Sequence, residues 1–405
     1  MVQSSLPRYF LSSTAQSTII KNTTTTASIT RSISSAQLTI SPISTDSPQN
    51  NNILQNNKQD LQFGKVFSSH MLQIPYKASS GGWQSPEIVP FQDLKISPAA
   101  SSLHYGLQCF EGMKAYKSVN DSNDIRLFRP QLNMKRLSNS MDRLCMPGSD
   151  FDHEELIDCI AKLVRLDKDW IPTEEGYSLY LRPTVISTHP YLGVAAPDEI
   201  LLYVITCPVG PYYTSGFAPV RLTAETPYVR AWPGGTGAAK VGGNYAGSMK
   251  PQKEASERGY SQILWTFGEE HEITEVGAMN VFFFLEKGDG SKGRELVTPP
   301  LTRGDILPGV TRQSIIDLSK LWGEFDVVER SITLPEVRKA ASEGRLIEAF
   351  GAGTAAVVTP ISAIEYKGSD IVIPATGDLT QRFFSDLMGI QYGRIEGPEG
   401  WSVKI

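Results

Sequence analysis

A five-residue run, Cys207-Pro208-Val209-Gly210-Pro211, interrupts a chain that otherwise interleaves strand-like and helix-like patterns, and it limits the possible folds more than any other feature. Two prolines and a glycine end a nearly continuous apolar strand at 199–207, which marks the run as an interdomain hinge. Before it, residues 124–129 have strand composition, and Pro130 suits the first turn of a helix carrying Met134, Leu137 and Met141. A second helix is expected over 152–166, with Leu156, Ile160, Leu163 and Val164 on one stripe, and an alternating strand over 177–187. After the hinge, strands near 220–224, 262–267 and 278–286 mix with helices at 311–322 and 335–343. With no internal repeat, the economical architecture is α+β (mixed α/β): a small N-terminal domain over 61–210 and a larger C-terminal domain over 211–405.

Several function classes drop out on composition. A net charge of −5 with no basic block leaves no footprint for nucleic acid. Apolar runs such as 279–285 are strand-length, far short of the roughly 20 residues a membrane helix needs. Cys109, Cys145, Cys159 and Cys207 lack metal-binding or redox spacing and are expected as core or near-core thiols, so no metal site is expected. The first 45 residues hold no Asp or Glu, are rich in Ser and Thr, and carry Arg8, Lys21 and Arg31, as a mitochondrial transit peptide does; a disordered tail without an address, on a cytoplasmic protein, is the alternative. An Asn/Gln-rich stretch at 49–62 then reads as a polar linker, so that 1–60 is leader and linker and folded structure begins near Phe63.

Chemistry concentrates in residues 229–245, where Lys240 stands among glycines and small side chains. A planar ligand can approach such a lysine closely, and partial desolvation favours an amine that attacks carbonyls. The glycines do not form a phosphate loop, because Gly243-Asn244 follows Gly242 where Lys and Ser or Thr are required. Residues 351–356 approximate a dinucleotide fingerprint but have no acidic partner about 20 positions on, and a plain glycine-rich turn is the alternative.

Six separated motifs then converge: Phe110-Glu111-Gly112-Met113-Lys114-Ala115, Phe128-Arg129-Pro130 with Asn133-Met134-Lys135-Arg136, Leu181-Arg182-Pro183, Lys240-Val241-Gly242-Gly243-Asn244-Tyr245, Glu275-Val276-Gly277 with Met279-Asn280, and Leu307-Pro308-Gly309-Val310-Thr311-Arg312. In this order they resemble the branched-chain aminotransferases, over nearly everything from Phe63 to Gly393. That resemblance implies a fold type IV pyridoxal 5'-phosphate enzyme, a homodimer with the cofactor between its two domains, which moves amino groups between Leu, Ile or Val and 2-oxoglutarate. It makes Lys240 the Schiff-base lysine and proton carrier, Glu275 the acid at the pyridine nitrogen, and Tyr245 the phenol near the cofactor hydroxyl. Arg136, Val310, Thr311 and Thr354 match residues around the cofactor phosphate, and Arg230 matches one near it. Strand alternation puts Tyr180 and Arg182 on one face, and both match substrate-pocket residues. Tyr105, Phe110 and Tyr212 match the pocket's aromatic walls, Tyr105 from the partner subunit, and Ala355 lies in a turn whose amides receive the substrate α-carboxylate.

The sequence also departs from the family. Ala278 stands where many relatives have threonine, and Ala356 and Thr359 stand where mammalian members have a redox-sensing cysteine pair, so no thiol switch is expected there. Relatives of the same fold transaminate D-amino acids or cleave aminodeoxychorismate, and a non-catalytic binding protein on this fold is the reading from another class.

Overall fold

Alternation at 177–187 becomes the strand Ser178–Ser187, which lies inside a ten-stranded sheet of the computed structural model. The structure describes residues 30–42, 61–118, 121, 123–211, 217–224, 227–288, 290, 292–374 and 377–405. Glu199–Val209 and Met113–Lys117 flank the strand, and the sheet continues through His70–Lys77, Glu87–Pro90 and Thr39–Ile40 one way and Ile125–Phe128 and Ser402–Lys404 the other. Leu179, Leu181 and Val185 enter a core shared with the helices Pro130–Arg143 and His153–Leu166. Tyr180 and Arg182 therefore point from the opposite face. Both helices begin as their residues dictate: Pro130 occupies the first turn of one, and the Asp152 carboxylate caps the other by accepting from the Glu154 and Glu155 amides.

The second sheet has nine strands, in the order Glu272–Val276, Gln262–Phe267, Val220–Thr223, Val357–Tyr366, Leu346–Gly353, Asn280–Glu286, Arg294–Thr298 and Asp326–Glu329, with Ser369–Val372 paired to Val357–Tyr366. Asn280–Glu286 is buried on both faces except at its last residue, which is why its sequence reads as one apolar run. Helices Val310–Trp322 and Asp378–Gln391 cover one side through Ile315, Ile316, Phe383 and Leu387, which pack with Phe282 and Phe350. Two mixed layers of helix and sheet make this an α+β fold.

Four expectations need correction. Order begins well before Phe63: Thr39–Ile40 pairs in parallel with Glu87–Pro90, Ile33 is 2% exposed in the core, and the Lys162 ammonium donates to the Ser35 carbonyl at 2.7 Å. One buried isoleucine anchors this stretch, a signal that Ser/Thr-rich composition conceals; residues 1–29 and 43–60 of the expected leader and linker lie outside the described residues. The strand that begins at Glu199 does not break at Cys207 but runs to Val209. Pro208 fits because His70–Lys77 pairs only as far as Val204, so the strand has lost one neighbour there. Cys145 is exposed, not near the core, because it turns left-handed (φ 52°) just past the end of Pro130–Arg143. The C-terminal strand Ser402–Lys404 joins the first sheet beside Ile125–Phe128 instead of the second. Among the described residues no helix is long and apolar enough to cross a membrane, and no cluster of His, Cys, Asp and Glu could hold a metal.

Candidate active site

Strands of both sheets wall a cavity of about 410 Å³, and Lys240 reaches into it. Its backbone is pinned on two sides: the Lys240 amide donates to Ser140 Oγ at 2.9 Å, and the Lys240 carbonyl accepts from the Phe110 amide at 3.0 Å. Asn244 braces the glycine-rich approach by donating to the Thr236 carbonyl at 2.8 Å and the Ala239 carbonyl at 3.0 Å. A backbone free to take many paths is thus held in one. The ammonium donates to Tyr245 Oη at 3.0 Å and lies 4.9 Å from the centre of the Phe110 ring. With an aromatic ring below and a phenol beside it, the amine is confined but reachable.

Glu275 forms the polar floor, 1% exposed. One carboxylate oxygen, Oε1, accepts from the Leu307 amide at 3.0 Å and from Asn280 Nδ2 at 3.3 Å. The other, Oε2, forms a buried ion pair with Arg230, 2.6 Å from Nη1, and has a second lone pair left. Burial pushes the carboxyl above its ordinary range, and Arg230, the Leu307 amide and Lys240 pull it back. A buried carboxylate oxygen with room for one more donor suits a ring nitrogen that carries a proton.

The third wall is the start of the helix Val310–Trp322. Gly309 is its N-cap and provides no side-chain cap, so the first N–H groups and the positive end of the helix dipole meet the cavity at Val310 and Thr311. A Cβ on Gly309 would lie 2.1 Å from Asn280 Oδ1, so only glycine lets the helix start this close to the floor. Arg136 lines the same corner, held on both sides by Glu111: Nε donates to Oε1 at 2.7 Å and Nη2 to Oε2 at 2.8 Å, while Nη1 donates to the Pro308 carbonyl at 3.1 Å. Glu111 is fully buried and also accepts from Asn133 Nδ2 at 2.8 Å. Amine, acid and anion corner together fit pyridoxal phosphate, whose aldehyde, ring nitrogen and phosphate need those three partners.

On the remaining side Arg182 lies over the Phe110 ring at 4.6 Å and donates to Tyr180 Oη at 3.2 Å. Tyr180 reaches its place only because residue 112 is glycine: a Cβ there would sit 2.1 Å from its hydroxyl oxygen. Gly112→Ala is therefore expected to displace the ring, raising KM about tenfold with kcat changed far less, as steady-state kinetics would show. An unchanged KM would mean that Tyr180 does not contact substrate.

The cavity brings together eleven of the fourteen residues singled out in the sequence: Lys240, Tyr245, Phe110, Arg136, Tyr180, Arg182, Glu275, Val310, Thr311, Thr354 and Ala355. Arg230 does not line it but pairs with Glu275 beneath it. Tyr105 is 44% exposed, its hydroxyl donating to the Leu192 carbonyl away from the cavity. Tyr212 lies outside the described residues. Residues 351–356 form the end of one antiparallel strand and a hairpin turn to the next, so the glycine-rich turn reading holds. Sequence reading assigned no role to Glu111, Asn280 or Ser140, although the first two stand inside its motifs; a lone acid between Phe110 and Gly112 was the available signal.

Comparison with known proteins gives a consistent result. The Amino-transferase class IV family matches residues 108–364. A branched-chain-amino-acid aminotransferase of Dictyostelium discoideum is 52% identical over 353 residues, 86% of this chain and 90% of its own. In Mus musculus, the mitochondrial branched-chain-amino-acid aminotransferase is 49% identical (83% of this chain, 84% of its own), and the cytosolic one is 49% identical (85% and 88%). Among solved structures, the branched-chain amino acid aminotransferase from Escherichia coli superposes with a TM-score of 0.64 at 27% identity, covering 83% of this chain and 99% of its own. A T.th. branched-chain amino acid aminotransferase, solved with pyridoxamine 5'-phosphate, superposes with a TM-score of 0.62 at 28% identity, covering 84% of this chain and 99% of its own.

Proposed function

The chain belongs to the class IV aminotransferases, and from that premise we propose that it transfers amino groups between L-leucine, L-isoleucine or L-valine and 2-oxoglutarate, using pyridoxal phosphate. One observation carries the reading: the Lys240 amine, the buried carboxylate of Glu275 and an uncapped helix start share one cavity.

Lys240 is the residue that would hold the cofactor covalently, with Glu275 at its ring nitrogen and Arg136, Val310, Thr311 and Thr354 around its phosphate. Bound there, pyridoxal phosphate supplies a conjugated ring that spreads the electron pair left when an α-proton departs. Lys240 Nζ takes that proton and returns it, and the Tyr245 hydroxyl 3.0 Å away holds the amine in place between the two acts. Glu275 keeps a proton on the ring nitrogen, a task that needs its charged form, and Arg230 beside it favours that form. Phe110 and Phe63 give the aliphatic side chain an apolar wall, while Arg182 beside Tyr180 places the second carboxylate of glutamate. At the Thr354–Ala355 turn, backbone N–H groups receive the α-carboxylate.

The same reading includes a homodimer, in which a second copy would cover the exposed apolar side chains Leu103, Tyr105, Tyr191, Leu192 and Val194 and bring Tyr105 to its partner's pocket. Two domains meeting at the cavity, divided near residue 210 with Ser402–Lys404 returning to the first, are part of the same reading, as is import into mitochondria by the acid-free residues 1–29. The test is a half-reaction screen of the cofactor-loaded protein with L-branched, D- and aromatic amino acids, followed by absorbance. Rapid bleaching by L-leucine, L-isoleucine and L-valine is expected; response to D-amino acids alone would overturn the assignment.

A further inference from the structure

We propose that Lys114 strengthens substrate-carboxylate binding from behind the turn at 354–356, acting through the Ala355–Ala356 peptide as a positioning residue. The inference rests on the reading above that the carboxylate sits on this turn.

Lys114 pairs directly across from Tyr180 in the first sheet, so both side chains leave the same face toward the second sheet. Its ammonium crosses to the hairpin between Leu346–Gly353 and Val357–Tyr366 and donates to the Ala355 carbonyl at 2.9 Å. The residue is 6% exposed, and among the described residues no carboxylate pairs with it. Burial pulls its amine down to about 8. An uncompensated ammonium in such a place opposes folding, so its presence calls for an anion nearby.

The turn supplies the place for one. Thr354, Ala355 and Ala356 all line the cavity, and among the described residues their N–H groups donate to nothing. A cation on the Ala355 carbonyl polarises the peptide it belongs to, and the other end of that peptide is the Ala356 N–H. Charge thus reaches the cavity without the lysine entering it. Val357, a β-branched residue at φ 61°, closes the turn in a conformation such residues rarely adopt, which fixes the direction of those N–H groups. Neighbouring charges do not cancel the effect: Glu111 is taken up by Arg136 and Glu275 by Arg230.

The experiment compares 4-methylpentanoate with its neutral amide by calorimetric titration of the cofactor-loaded protein. Three forms are used: wild type, Lys114→Gln, which can keep the hydrogen bond without the charge, and Lys114→Arg, which keeps both. Wild type is expected to prefer the acid, the glutamine variant to lose on the order of 30-fold of that preference, and the arginine variant to stay within about threefold, as for unit charges about 8 Å apart at an effective dielectric near 20. Amide affinity should be the same in all three. A glutamine variant with undiminished preference, or an arginine variant that loses as much as glutamine, overturns the role of Lys114. A wild type without preference for the acid instead defeats the carboxylate reading of the turn. Lys114→Met, neutral and of similar length, replaces the glutamine variant if that one does not fold.

Discussion

Lys240→Ala is expected to lower turnover by roughly 10⁴-fold or more, because in the proposed reaction one side chain would both hold the cofactor and move the proton. No neighbour can take over. Lys114, another amine in the motifs, is committed to the Ala355 carbonyl, and Tyr245 loses its partner when the amine goes. The fold should hardly notice, since the partly buried lysine side chain meets Tyr245 and Phe110 at the cavity wall, and its backbone bonds to Ser140 and Phe110 remain. The visible absorbance of the bound cofactor should shift with the loss of its covalent link, while Tm stays within a degree or two. An active Lys240→Ala protein with unaltered absorbance would contradict the assignment.

Glu275→Gln should cost both activity and stability. The amide can still accept from the Leu307 N–H, but the charge is gone and the Arg230 side chain, 4% exposed, is left without a partner. Breaking a buried pair on one side costs about 3 kcal/mol, and losing the charge at the ring nitrogen is expected to lower turnover on the order of 100-fold. Because burial is the dominant influence on this carboxyl, adding Arg230→Met should recover most of the lost stability. It should recover none of the turnover. Thermal melts and steady-state kinetics on the single and double variants separate the two effects; a double variant that regained activity would show that Glu275 serves only to neutralise Arg230.

The sequence displayed its helices through apolar stripes and caps, as Asp152 and Pro130 illustrate, and its central strands through alternation or continuous apolar runs. Boundaries set by long-range pairing were not legible. Thr39–Ile40 is a strand only because Glu87–Pro90 lies beside it, and Ser402–Lys404 returns to the first sheet for a reason that no local pattern carries. Within the cavity, residues whose types announce chemistry, such as Lys240 and Arg136, could be picked out by their motifs. Those that orient them could not: Glu111 and Asn280 matter through geometry, holding a guanidinium and a carboxylate in place. Glycines tell the same story, since Gly112 and Gly309 are required by Tyr180 and Asn280, which lie far off in sequence.

The central claim is that the amine at position 240 forms the covalent link to the cofactor over the carboxylate of Glu275. Borohydride reduction of the pyridoxal-phosphate-loaded full chain, followed by proteolysis and mass spectrometry, tests it directly. The added mass should appear on the peptide containing Lys240 and nowhere else; label on Lys114 or another lysine, with Lys240 unmodified, would contradict the account.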